Sequence, residues 1–201
     1  MTSPPGAAGP PTTSGAGGTG TQLFVYGSLL DPGSLQGTLA HRRRAPEREV
    51  AVIHGWTRAW NCLSAKTFTL PGRGATRYRR VVMGLRPDDA GRSEGMVLQI
   101  DDRDLGEITR REQAYDLVDI TDSVEAPPGR VQTFLPRSHN LRSRVTVPEP
   151  LVVERSYFAT CCHGAAAHGL AAAEQELRAS LDLELVDELQ QVELRYLPAP
   201  P

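Results

Sequence analysis

The stretch LFVYGSLL, residues 23–30, starts as a β-strand and breaks inside its own pattern. Leu23, Phe24 and Val25 favour a strand, Tyr26 follows, and Gly27-Ser28 then interrupts before Leu29-Leu30 and Asp31-Pro32. A strand interior gains nothing from Gly, which marks a bulge or a place where another group approaches the backbone. The pattern predicts a strand over 22–26, then a turn leading into a short helical segment over 31–40.

Working outward, residues 49–60 place Val50, Val52, Ile53, Trp56 and Trp60 around Gly55, which predicts strand, break, strand. Residues 79–85 and 94–100 are strand-like, and Arg86-Pro87-Asp88-Asp89-Ala90-Gly91 between them has turn chemistry, so the pair is expected to form a hairpin. Asp101 or Asp102 is placed to cap a helix running to about residue 115. Strands are expected over 117–124, 130–135 and 156–162, with a basic, proline-flanked loop over 136–150. A helix over 170–181 and a second helical segment over 182–196 complete the reading. Strands outnumber helices without βαβ alternation, so the fold class is α+β.

At 201 residues the chain has the length of one domain with a real core. Residues 1–20 are rich in Pro, Gly, Ser and Thr and contain no charged side chain, which predicts a disordered tail ahead of a single folded domain over 21–197. The net charge of -2 gives no general attraction for nucleic acid. The basic runs at 41–44 (HRRR) and 77–80 (RYRR) lack interleaved aromatics beyond Tyr78 and read as solvated faces. No run approaches 18 apolar residues, and residues 1–20 lack the charged start and apolar core of a secretory signal. Three cysteines, two of them adjacent at 161 and 162, do not make a disulfide framework. Reduced thiols and a cytoplasmic location are expected.

The predicted helix DDRDLGEITRREQAY, residues 101–115, carries a second anomaly. At about 100° per residue, Leu105, Ile108, Glu112 and Tyr115 fall within a sector of roughly 80°, while Glu107, Arg110 and Arg111 point elsewhere. Glu112 therefore shares the stripe of the core-facing residues. One reading is a Glu whose stem lies on apolar surface while its head reaches water. The other is a partly desolvated carboxylate with a raised pKa, suited to moving protons near neutral pH. Helical spacing alone does not separate the two.

Both anomalies occur together in a known family. FVYGSLL at 24–30, EGMVLQID at 94–101, DLGEITRREQAYDLVDI at 104–120 and SYFATCCHGAAAHGL at 156–170 resemble, in that order, the γ-glutamylcyclotransferase-like superfamily. The resemblance spans most of residues 22–181. It implies a small mixed, partly open β-barrel with a few flanking helices. It also implies cyclisation of a γ-glutamyl peptide or γ-glutamyl amine to 5-oxoproline, with release of the amine or amino acid and without cofactor or metal. Glu112 matches the family's general acid/base. Tyr26, Gly27, Ser28 and Leu29 match the loop whose backbone cradles the glutamyl group, and Tyr157, seven residues before Gly164-Ala165, matches a substrate-contacting tyrosine. A small γ-glutamyl substrate, no nucleic acid, no membrane, and a monomer or homodimer follow from the same resemblance. The basic loop 137–144 has no counterpart in it, and the leaving amine stays open.

Other residues invite other chemistry. Ser28 lacks the Gly-x-Ser-x-Gly elbow of a nucleophilic serine and reads as a structural or substrate-contacting hydroxyl. Cys161, Cys162, His163 and His168 contain metal-ligand types, but adjacent residues on a strand face opposite ways and no second pair has zinc spacing, so core thiols and a strand-end His are expected. Trp56 and Trp60, near Asn61, are expected to fill the end of the barrel. A relative that keeps the pocket only to bind a small molecule or partner is the alternative to an enzyme, and a retained buried base argues against it.

Overall fold

The computed structural model describes residues 20–126 and 128–194, with side chains through 191. The expected tail at 1–19 and the end of the expected last helix at 195–196 lie outside the described residues. In chain order, strand β1 (Thr21–Val25) leads through a 3-10 turn (Ser28–Leu30) into helix α1 (Pro32–Thr38). Two long strands follow, β2 (Arg48–Thr69) and β3 (Tyr78–Ile100), then helix α2 (Asp102–Arg111). Strands β4 (Tyr115–Asp119), β5 (Val124–Glu125), β6 (Val131–Pro136) and β7 (Leu151–Glu154) precede helices α3 (Arg155–Ala167) and α4 (Ala171–Ala179). Short strands β8 (Glu184–Val186) and β9 (Gln190–Leu194) end the described chain.

The result is a mixed α+β fold on one open sheet, in the order β4-β6-β1-β3-β2-β5, with β7 joined to β3, β8 to β7 and β9 to β2. β1 lies between β3, antiparallel, and β6, parallel. Both of its faces are covered, which is why Leu23, Phe24 and Val25 form a continuous apolar run instead of alternating. The main core gathers Leu23, Phe24, Ile53, Leu63, Met83 and Leu98 from the sheet with Ile108 and Leu177 from α2 and α4.

Three local expectations are corrected. Residues 79–85 and 94–100 do not pair as a hairpin: both belong to β3 and pair with successive parts of β2. His54 pairs with Arg92 and Trp56 with Pro87, so residues 88–91 bulge out opposite Gly55, whose φ of 77° lies in the left-handed region. Residues 156–162 belong to helix α3, not to a strand. A short aromatic and apolar run has no period that separates a strand from a buried helix. The segment 182–196, expected as helix, supplies strands β8 and β9 in its described part, where parallel pairing with β7 and antiparallel pairing with β2 override its leucine spacing.

The basic runs are less solvated than expected. Arg42 and His41 close on the fully buried Asp104 of α2. Arg79 is buried and pairs with the buried Glu149 at 3.1 Å. Among the described residues, no helix is long and apolar enough to cross a membrane.

Candidate active site

The site begins where β1 stops. The strand ends at Val25, and the chain folds into the Ser28–Leu30 turn, with the Leu30 N–H donating to the Gly27 carbonyl at 2.9 Å. The amides of Ser28 and Leu29, first in the turn, have no acceptor within it. Asp31 then caps α1, accepting from the Ser34 N–H at 2.6 Å. Two anchors hold this corner. Arg58, buried on β2, donates through Nε to the Tyr26 carbonyl at 2.8 Å and is neutralised by Glu176 of α4 at 2.6 Å. On the other side α3 lies so close that a Cβ on Gly164 would overlap the backbone of Leu30 and Asp31. His163 of the same helix meets Asp31 Oδ2 at 2.5 Å, and His168 Nε2 lies 3.0 Å from the Leu30 carbonyl.

Glu112 reaches the same place from α2. Of the two caps the sequence allowed, Asp101 is the one used, in a reciprocal capping box with Asp104. The helix ends at Arg111, four residues short of the expected end, because Glu112 leaves helical geometry (φ -88°, ψ 43°) and the chain turns into β4 at Tyr115. The Glu112 N–H still donates to Ile108 at 2.9 Å, so its side chain continues the buried direction of Ile108. The Glu112 side chain is 16% exposed. Burial raises its pKa above the ordinary carboxylate range, opposed by Arg111.

Tyr26, Gly27, Ser28, Leu29, Glu112 and Tyr157 all line one small chamber of about 40 Å³. Its walls are tied by tyrosine hydroxyls to the backbone. Tyr26 donates to the Phe134 carbonyl and Tyr115 to the Met83 carbonyl, both at 2.6 Å, while the Tyr157 hydroxyl accepts from the Met83 N–H at 3.4 Å. Burial holds all three phenols well above their ordinary pKa, so they stay protonated. Tyr157 sits in the first turn of α3, and Gly164 lies two turns on, so one helix face supplies both a chamber wall and the close contact with the turn. A Cβ on Gly27 would point into the chamber, 3.7 Å from Met83 and 3.9 Å from the Tyr157 hydroxyl. That is ordinary contact, so protein packing alone does not demand glycine here.

Sequence reasoning missed Arg111. Helical spacing sends it away from the stripe, yet its Nη2 donates to Ser28 Oγ at 2.8 Å and its Nε lies 3.2 Å from Glu112 Oε1. Its position at the helix end, where the chain unwinds, lets one guanidinium span turn and carboxylate. Among the described residues, this ion pair is the only polar contact of the Glu112 carboxylate. Tyr115, read only as part of a stripe, and Met83 were also missed as chamber walls. Arg58 left a signal: it alternates with Trp60 and Cys62 on the buried face of β2, where a lone Arg requires a buried partner.

The remaining candidates lie elsewhere. Cys161 and Cys162 are both buried, because α3 is covered on more than one side, and burial lifts the Cys161 thiol to about 12. Trp60 packs edge-on to Tyr157 at 6.1 Å and Trp56 is partly buried, while Asn61 donates to the Leu85 carbonyl at 3.3 Å. The basic loop is docked: Arg142 N–H donates to Asn61 and Asn140 to the Leu63 carbonyl.

No family model matches the sequence, and none of the curated proteins matches it. Solved structures do. A structure of a γ-glutamyl cyclotransferase is 14% identical, covers 87% of this chain and 94% of its own, and superposes with a TM-score of 0.53. The uncharacterized human protein loc79017 is 16% identical over 87% of this chain and 94% of its own, with a TM-score of 0.56. YkqA of Bacillus subtilis is 20% identical with a TM-score of 0.55, covering 83% of this chain; the match spans 56% of YkqA. The chain shares its fold with these structures, one of which is a γ-glutamyl cyclotransferase.

Proposed function

We propose that this chain is a γ-glutamylcyclotransferase, converting a small γ-glutamyl peptide or γ-glutamyl amine into 5-oxoproline and the free amine or amino acid. The observation that carries the reading is the desolvated Glu112 carboxylate sharing one chamber with the 27–29 turn and Tyr157. The likeness of fold to a γ-glutamyl cyclotransferase supports it.

The α-amino group of a γ-glutamyl substrate is an ammonium near neutral pH and cannot attack. Glu112 takes its proton, and a raised pKa makes the carboxylate a competent base there. The freed amine adds to the γ-carbonyl, forming the C–N bond that closes a five-membered ring. The carbonyl oxygen gains the electron pair, and the open amides of Ser28 and Leu29 are the donors proposed to stabilise it. Collapse breaks the bond to the leaving nitrogen, which takes the proton back from Glu112. The ring nitrogen then gives up its own extra proton to the freed carboxylate, which passes it to the released amine, so the products are the neutral lactam and an ammonium. One carboxylate suffices because nucleophile and electrophile belong to the same molecule. Arg111 holds Glu112 against the turn, and the protonated Tyr157 hydroxyl donates to the bound glutamyl group.

The test is to incubate the chain with a panel of γ-glutamyl peptides and γ-glutamyl amines and measure 5-oxoproline. Release that disappears in Glu112→Gln is expected. Tight binding without release from any member would make the chain a binding protein on this fold.

A further inference from the structure

Beyond the chamber lies a second, wider cavity of about 840 Å³, which shares Ser28, Glu112, Tyr115 and Tyr157 with it. In the reading above the glutamyl group sits at the mouth of the chamber, against Ser28, Glu112, Tyr115 and Tyr157, so the leaving amine extends into this outer cleft. Its charge is one-sided. Lys66, Arg80, Arg111, Arg137 and His139 line it, against Glu112 as the only acid among the lining residues. The arginines are engaged: Arg80 with Glu154, Arg111 with Glu112 and Ser28, and Arg137 with Asp116. Lys66 is not. Among the described residues its ammonium has no ion pair and no hydrogen bond, although the side chain is half-buried. It is also the one lysine of the chain.

Its placement is built. The pairing of β2 with β3 slips between Leu63 and Thr67, so residues 64–66 bulge. Arg79, itself neutralised by Glu149, donates to the carbonyls of Ser64 and Ala65 at 3.1 and 3.3 Å, and the Lys66 N–H closes on Ser64 Oγ at 3.1 Å. Bulges beside binding sites re-aim side chains, and this one turns Lys66 to the cleft.

We propose that Lys66 is a specificity-determining residue that selects γ-glutamyl substrates whose leaving amine carries an anionic group, such as the carboxylate of an amino acid or peptide. The proposal rests on the cyclotransferase reading of the same site. An ammonium with no partner among the described residues gains a charge-assisted hydrogen bond from such a group and repels a diamine leaving group, so one residue both attracts and excludes.

The experiment compares three probes of matched size with the full chain: γ-glutamyl-alanine (anionic), γ-glutamyl-alaninamide (neutral) and γ-glutamyl-putrescine (cationic). Turnover is read as 5-oxoproline, and binding is read separately by calorimetry on Glu112→Gln. Wild type should prefer the anionic probe by roughly ten-fold in kcat/KM, the scale of a charge-assisted hydrogen bond at a partly exposed site. The preference should lie in KM, collapse in Lys66→Met and return in Lys66→Arg. Turnover without charge preference, or a preference that survives in Lys66→Met, overturns the role of Lys66 and leaves the activity standing. Charge-selective binding that depends on Lys66, with no turnover of any probe, overturns the activity and keeps the role. Should Lys66→Met not fold, the wild-type ratios and Lys66→Arg decide.

Discussion

The inner chamber and the outer cleft touch along four side chains and are built in opposite ways. In the chamber, tyrosine hydroxyls end on backbone groups of β3 and β6, so the walls are fixed by the sheet itself. In the cleft, the walls are long charged side chains held by other side chains, several of them near solvent. Fixed dipoles in a dry site suit a chemical step that does not vary. Flexible charges at an open rim suit recognition of whatever is attached to the reacting group, and they tolerate change at little cost. Under this division, substitutions inside should stop chemistry, and those outside should shift preference.

The largest effect is expected at Gly27. Gly27→Val should abolish binding and turnover, because the methyl groups would occupy the space that the proposed function gives to the glutamyl group, while the melting temperature moves little. Gly164→Ala makes the opposite contrast: its Cβ would overlap the protein's own backbone, so overpacking should cost about 1–3 kcal/mol of stability. A Gly27→Val protein with normal turnover would break the comparison at its centre; thermal melts and 5-oxoproline release decide.

Glu112→Gln comes next, with kcat falling by about 10²–10⁴-fold and substrate affinity little changed. In wild type, the acidic limb of kcat/KM should lie above the ordinary carboxylate value of 4.5, since burial raises the Glu112 pKa. The limb should vanish in the variant. The stability effect has the matching sign. A carboxyl pKa raised on folding favours the native state below the unfolded value, and that advantage is lost as pH rises through the folded one. Glu112→Gln should therefore be neutral or slightly stabilising at neutral pH in urea melts. A strongly destabilised but active variant would make Glu112 an ion-pair partner of Arg111 and nothing more.

The chamber was also the more legible region, for the same physical reason. Local backbone chemistry writes itself into short sequence. The broken strand at 23–30, a cap at Asp101 or Asp102 and the apolar stripe through Ile108 each follow from neighbouring residues; that Gly27 and Glu112 share a site was implied by the family resemblance, and both line the one chamber. The cleft depends on pairings distant in sequence. Nothing near Lys66 announces that Arg79 and Glu149 will hold its bulge, and nothing near Arg111 that the helix will unwind beneath it. Residues 156–162 failed for a third reason. SYFATCC has strand composition, and only its docking on the 27–31 corner, where Gly164 permits close approach, makes it a helix.

Tyr115→Phe tests the chamber wall without touching the base. It removes the donor to the buried Met83 carbonyl and should cost about 1–3 kcal/mol, as for an acceptor left unpaired. In a domain of this size that is a fall of several degrees in melting temperature. A modest loss in kcat should accompany it as the wall loosens, and an unchanged melt would mean the hydroxyl is not holding β3.

Arg137→Ala is expected to do least, and it is the sharper test because it sits one residue contact away. Arg137 Nε lies 3.1 Å from Asp116 and donates to the Tyr115 carbonyl at 3.2 Å, so the same stretch of β4 carries both a chamber wall and a cleft wall. Yet the Arg137 and Asp116 side chains are 43% and 62% exposed, and a pair so open to solvent contributes about 0–1 kcal/mol at most. Removing it should leave the melting temperature within a few degrees and kcat unchanged. KM for anionic leaving groups should move far less than in Lys66→Met, because Asp116 already neutralises Arg137. If kcat instead falls as far as in Glu112→Gln, the cleft wall is part of the machinery of bond making, and the boundary between the two regions lies further out than the tyrosines place it.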